Sequence, residues 1–181
     1  EGDVLEYDLE KLTDGADVAV HLAAITDAAG SFEIREKVEH VNFTACKRLA
    51  EACLKTGTAI IHISSTSVYG TQKDVVDEEC SESDLKPQSP YAETKLREES
   101  FLVSLANSRG LRFVTCRFGT ICGVSPGMRF HTAVNKFCWQ AVLGQPLTVW
   151  NTAYNQKRPY LDIAQLVESF KFIISHELFV V

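Results

Sequence analysis

The chain has 181 residues, 45% of them apolar and 23% charged, and a net charge of −6. That is enough for one domain with a buried core, in the composition range of soluble globular proteins. The negative balance argues against nucleic acid or an anionic membrane as the main partner, and no apolar run approaches the roughly 20 residues that span a bilayer. The N-terminus, EGDVLEYDLEKL, is acidic and lacks the apolar stretch of a signal peptide. Cys46, Cys53, Cys80, Cys116, Cys122 and Cys138 form no CxxC pair and no Cys/His cluster with zinc spacing. Reduced thiols in a cytoplasmic protein without a metal are expected. The chain begins at Glu1, has Met128 as its only methionine, and opens on the approach to a strand, so it reads as a piece of a longer polypeptide.

In chain order, residues 16–24 (ADVAVHLAA) form a valine-rich apolar run bounded by Asp14-Gly15 and Thr26-Asp27. That pattern predicts a strand buried on both faces, as in a parallel sheet. Val38, Val41, Ala45, Leu49, Ala52 and Cys53 recur at helical intervals over 38–55, and Gly57 is a natural stop. Residues 59–64 (AIIHIS) predict a second buried strand. The polar stretch 71–90 reads as a long surface loop, a length that is usually functional. Pro90 opens a helix to about Asn107, with Ser89 as its N-cap. A third strand covers 111–119 and ends at Gly119. Beyond Gly123 the pattern predicts a loop, a helix from about His131 to Leu143, and a short strand. A further strand and a last helix follow over RPYLDIAQLVESFKFIIS. Strands alternating with helical crossovers predict an α/β fold with a doubly wound parallel sheet.

The most informative chemistry lies in SPYAETKLREES, where Tyr91 and Lys95 stand four residues apart, following the strand-end Ser65 of IIHISSTSVYG. Residues at i and i+4 share a helix face, so the Lys95 ammonium can sit beside the Tyr91 phenol. A nearby positive charge favours phenolate and makes the phenol a general acid/base near neutrality. Ser65 could hold a substrate hydroxyl against the same phenol.

With these pieces in place, the chain resembles the extended short-chain dehydrogenase/reductase family, in its NAD-dependent nucleotide-sugar epimerase/dehydratase branch. The matching segments occur in family order: EYDL, HLAA, VNFTACKRLAEAC, ISSTSVYG, SPYAETK, RFGTICG and RPYLD. The resemblance implies a Rossmann-type sheet whose Gly-rich turn and first βαβ segment, roughly 60 residues, lie upstream of this chain. The strand over 16–24 would then stand at an edge of the sheet in this chain alone. It also implies a partial dinucleotide-binding domain over 1–122 and part of a substrate lobe over 123–181.

By the same resemblance, Ser65, Tyr91 and Lys95 are the catalytic triad. Asp8 and Leu9 meet the adenine ring, Leu22, Ala23 and Ala24 lie along the cofactor, and Ser64, Tyr91 and Lys95 complete its site. Ser65, Thr66, Asn135 and Arg158 are implied substrate contacts, Arg158 on the diphosphate, with Arg129 beside them. Asn42 falls at a position often Asn in the family, and a plain helix-surface Asn is the alternative. Arg117 to Gly123 borders nicotinamide and sugar, and Cys122 stands where the family usually has Tyr. The implied cofactor is NAD, with NADP possible, the substrate a nucleotide sugar, and the complete protein a homodimer paired through the helices over 38–55 and 90–107.

By the same resemblance, members that eliminate water carry an Asp-Glu pair or at least a Glu just before VYG, and Thr66 and Ser67 cannot serve as that acid/base carboxylate. Reversible oxidation of a sugar hydroxyl, as in 4-epimerisation, needs only the phenol, the serine and NAD. A reductase of a keto-sugar or another carbonyl would use identical residues, and a non-catalytic NAD-binding or scaffold protein on the same fold, or an inactive fragment, stays open.

Overall fold

The computed structural model describes residues 2–71, 75–130, 132–151, 154–155 and 157–180. Two compact units result: the first holds residues up to Arg117 together with the C-terminal residues from His176, the second Phe118–Ser175. The division falls earlier than the expected 122/123 and returns the C-terminus to the first unit. The reason is pairing: the Phe113 and Val180 backbones exchange hydrogen bonds of 3.1 and 2.8 Å, whereas residues 120–122 pair within the second unit.

The first unit runs α1 (Leu9–Thr13), β1 (Val18–His21), α2 (Arg35–Thr56), β2 (Ala59–Ser65), α3 (Pro90–Arg109) and β3 (Phe113–Phe118). The strands order β1-β2-β3, and β1 runs parallel to β2 with His21 opposite His62. Helices α2 and α3 begin and end on readable signals. Gly57 and Gly110 close them in the left-handed conformation, and Ser89 Oγ accepts the Ala92 N–H at the start of α3. The two helices pack on each other and on β2, so they share one face of the sheet. Leu49, Ala52 and Cys53 of α2, Leu102, Leu105 and Ala106 of α3, and Ile60 and Phe113 of the strands form the core, which Leu9 of α1 completes.

Across the outer seam, Arg35–Glu93, Glu39–Arg97 and Glu51–Arg109 are ion pairs, each linking residues 58 apart. Phe43 and Phe101 keep the same offset, edge to face at 5.6 Å, with the Arg97 guanidinium 4.0 Å from the Phe43 ring centre. A constant offset means that α2 and α3 run parallel in one register. Exposed pairs contribute about 0–1 kcal/mol each, so they select the register more than they stabilise it. The two aromatic rings are thus packed on each other within the chain.

β1 departs from the pattern reading. It spans four residues, stands at the sheet edge, and leaves Val20 37% and Leu22 61% exposed. Apolar character there does not mean burial on both faces, because among the described residues α2 and α3 cover one face of the sheet.

In the second unit, β4 (Thr120–Cys122) pairs in parallel with β5 (Tyr160–Asp162), flanked by α4 (Ala133–Val142) and α5 (Ile163–Ser175). β4 was not anticipated, since the sequence pattern ends a strand at Gly119 and marks no second one before Gly123. That glycine is required by a close approach: a Cβ there would lie 2.5 Å from the Pro159 carbonyl oxygen. The short strand expected after Leu143 does not form among the described residues, where Leu147, Val149 and Trp150 are exposed and have no pairing partner. His131, the expected start of α4, lies outside the described residues. Among those described, no helix is long and apolar enough to cross a membrane.

Two buried polar side chains act here, one binding the segment after β1 to α2 and one stacking between β1 and β2. Asn42 accepts the Ile25 N–H at 2.8 Å and donates to the Ile25 carbonyl at 2.9 Å, locking the segment after β1 onto the helix. It is fully buried rather than a helix-surface residue. His21 stacks on His62 at 6.2 Å, and burial, then the Lys95 charge and His62, lower its pKa from 6.5 to about 4. Asn42→Ala would strand both Ile25 groups and cost about 2–3 kcal/mol in urea unfolding. Because folding lowers the His21 pKa, the unfolded chain binds more protons between pH 6.5 and about 4. Stability is therefore full above pH 6.5 and declines as pH falls through that window, by on the order of 3 kcal/mol. Urea midpoints measured across it check the decline, which His21→Gln should flatten.

Candidate active site

Ser65 ends β2 and opens the 3-10 turn Thr66–Tyr69. Its Oγ accepts two hydrogen bonds from Ser67, from the N–H at 3.2 Å and the hydroxyl at 2.9 Å. With both lone pairs engaged, the Ser65 proton is directed outward as a donor. Gly70 follows at φ +74°, where a Cβ would collide with the Lys86 carbonyl, so only glycine lets the turn close against Lys86.

Tyr91 and Lys95 lie on the first turns of α3, which packs against both β2 and that 3-10 turn. The Tyr91 N–H donates to Ser31 Oγ at 3.3 Å, anchoring the helix start to the turn Gly30–Phe32. Lys95 Nζ stands 6.0 Å from the Tyr91 ring centre. Ser65, Tyr91 and Lys95 all belong to the first unit.

Behind them lies a buried charge cluster that the sequence reading did not single out. Lys95 Nζ donates to Glu98 Oε2 at 2.8 Å, and His62 Nε2 meets the same oxygen at 2.8 Å. A carboxylate can only accept, so His62 carries a proton on Nε2, and its Nδ1 lies 3.3 Å from Thr115 Oγ1. Burial alone would raise the Glu98 carboxyl, but the His62 hydrogen bond and the Lys95 charge together outweigh it and hold the group below its ordinary range. Cys46 sits alongside, its thiol pushed far up by burial and then by Glu98. The donor atoms of Cys46, His62 and Glu98 lie within 4.8 Å of one another, yet Lys95 is already the cation on that carboxylate.

The neighbouring Glu99 makes a separate pair. Arg117 Nη2 donates to Glu99 Oε2 at 2.6 Å and Nε to Oε1 at 3.1 Å, while Nη1 donates to the Tyr69 hydroxyl at 3.1 Å. Glu99 raises the Arg117 pKa further. Ser64, read as a cofactor contact, donates its hydroxyl to Glu99 instead. One signal for this cluster was available: Glu98 and Glu99 lie three and four residues after Lys95, on its own helix face.

The remaining candidates are dispersed. Asp8 Oδ1 caps α1 through the Lys11 N–H at 3.1 Å, and Leu9 is packed in the core. Leu22 and Ala23 are exposed just past β1, followed by half-buried Ala24, and Thr66 heads the turn after Ser65. Asn135 and Arg158 belong to the second unit, where buried Asn135 donates to the Arg129 carbonyl at 3.0 Å and Arg158 is exposed.

Residues 1–179 match the family described as the NAD dependent epimerase/dehydratase family. An uncharacterized UDP-glucose epimerase of Bacillus subtilis is 32% identical over 94% of this chain and 53% of its own length. A trifunctional UDP-glucose 4,6-dehydratase, 3,5-epimerase and reductase of Arabidopsis thaliana is 31% identical over 96% of this chain and 26% of its own. A mutant UDP-glucuronic acid 4-epimerase from Bacillus cereus, in complex with a fluorinated substrate analogue and NAD, superposes with a TM-score of 0.86 at 28% identity. It covers 96% of this chain and 54% of that one. This chain thus spans about half the length of the first of these relatives, and a quarter of the second. NAD, the cofactor expected from the sequence, is the one in the family's description and in that complex. The chain belongs to the NAD dependent epimerase/dehydratase family.

Proposed function

We propose that the protein carrying this chain is an NAD-dependent epimerase of a nucleotide sugar, reversibly oxidising a sugar hydroxyl at a Ser65–Tyr91–Lys95 site. The observation that carries this reading is the position of Lys95 over the Tyr91 ring on the helix that packs against the Ser65 turn. The exposed, small-residue edge at Leu22–Ala24, beside the end of β2, suits close approach by the ribose–nicotinamide end of NAD. When bound, NAD supplies a hydride acceptor that can return the hydride.

Tyr91 takes the proton of the sugar hydroxyl as its carbon is oxidised, and gives it back on reduction. Ser65, with its proton directed outward, donates to the same sugar oxygen and holds it against the phenol. Lys95 stabilises the phenolate form of Tyr91 and orients the ribose. Epimerisation is favoured over dehydration because Thr66 and Ser67 supply no carboxylate, and the Ser67 hydroxyl is committed to Ser65.

Supplied with NAD and either UDP-glucose or UDP-glucuronic acid, the full-length protein should yield the 4-epimer. Tyr91→Phe should reduce turnover about 10³-fold and Ser65→Ala about 10²-fold. Accumulation of a dehydrated 4-keto product, or full activity in Tyr91→Phe, would count against this reading. We also place a homodimer, paired through α2 and α3, within this proposal, and a sedimentation mass of one protomer at micromolar concentration would reject it.

A further inference from the structure

Glu98 is fully buried and its Oε1 has no hydrogen-bond partner among the described residues, while Oε2 takes both Lys95 and His62. A half-satisfied carboxylate in a protein interior is costly, and it persists only where a buried cation compensates it. On β1, His21 is neutral near pH 7, and on α2 the Cys46 thiol is protonated. Thr115 of β3 meets His62, and Glu99 of α3 is matched by Arg117. On the outer face of α3, Glu93 and Arg97 pair with Arg35 and Glu39 of α2. Lys95 and Glu98 are thus a directly paired ammonium and carboxylate on the helix that carries Tyr91.

This charge balance bears on Tyr91. The Glu98 carboxylate offsets the Lys95 ammonium, so the pair attracts a phenolate at Tyr91 less strongly than Lys95 alone would. We propose that Glu98 is a positioning residue for the Tyr91–Lys95 pair, a buried counter-ion that fixes the Lys95 ammonium and raises the pH at which Tyr91 gives up its proton. The proposal rests on the acid/base reading of Tyr91 and adds what sets its working range.

The test titrates Tyr91 by ultraviolet tyrosinate absorbance in the full-length protein without cofactor, as the difference between the parent and Tyr91→Phe. The same difference is then taken in a Glu98→Gln background. Glu98→Gln keeps the shape and should lower the Tyr91 midpoint by roughly one pH unit, with the acidic limb of kcat/KM moving the same way. Glu98→Asp, which keeps the charge, should restore most of the shift. An unmoved or raised midpoint in Glu98→Gln would overturn the proposal, since a purely structural role would lower activity without moving the titration. Should Glu98→Gln fold poorly, thermal unfolding of Lys95→Met and of Lys95→Met/Glu98→Gln decides. Lys95→Met strands the carboxylate, so the second substitution should recover most of the lost Tm, and additive losses would overturn the idea. Activity surviving in Tyr91→Phe would instead defeat the acid/base reading, whatever the titration does.

Discussion

Burying the Lys95 ammonium behind the first turns of α3 obliges the fold to bury a counter-charge with it. Glu98, one turn further along the same helix, supplies that charge, and His62 on β2 shares its oxygen. The cluster thereby joins helix to strand through charge-assisted hydrogen bonds that depend on the low dielectric around them. Glu99 repeats the logic one residue on, reaching Arg117 on β3 and Ser64 on β2. Two adjacent carboxylates on α3 thus fix how the helix sits over β2 and β3, and the candidate site inherits that placement.

The position of α3 along the sheet has a second determinant. The constant offset of 58 residues between partners on α2 and α3, in three ion pairs and one aromatic pair, aligns the helices in one register. The energy that holds them comes mainly from apolar side chains such as Leu49, Leu102 and Leu105. The exposed charges discriminate between registers that such packing tolerates almost equally. Asn42 then binds the segment after β1 to α2, so that the edge at Leu22–Ala24 is held relative to the end of β2.

Much of this was legible in the sequence, for local reasons. Ser89-Pro90, Gly57 and Gly110 mark helix ends through capping and left-handed backbone, properties of single residues and their neighbours. The apolar run 59–64 becomes a buried strand, and Tyr91 and Lys95 share a face because helical spacing alone puts them there. The ordered motifs pointed to the family that the whole-chain match identifies.

What the tertiary structure decided are the matters that need a partner distant in sequence. In KLREES, nothing local marks the two glutamates as buried; they are buried because His62, Ser64 and Arg117 arrive from β2 and β3. The run 16–24 looked two-sidedly buried, yet among the described residues α2 and α3 cover one face of the sheet, which leaves Val20 and Leu22 exposed. Residues 120–122 became a strand because 160–162 came alongside, and 145–150 did not because nothing paired with them there. Local sequence determines backbone preference and the spacing of reactive groups, whereas the burial of a charge and the pairing of a strand are settled by which other elements the fold brings against them.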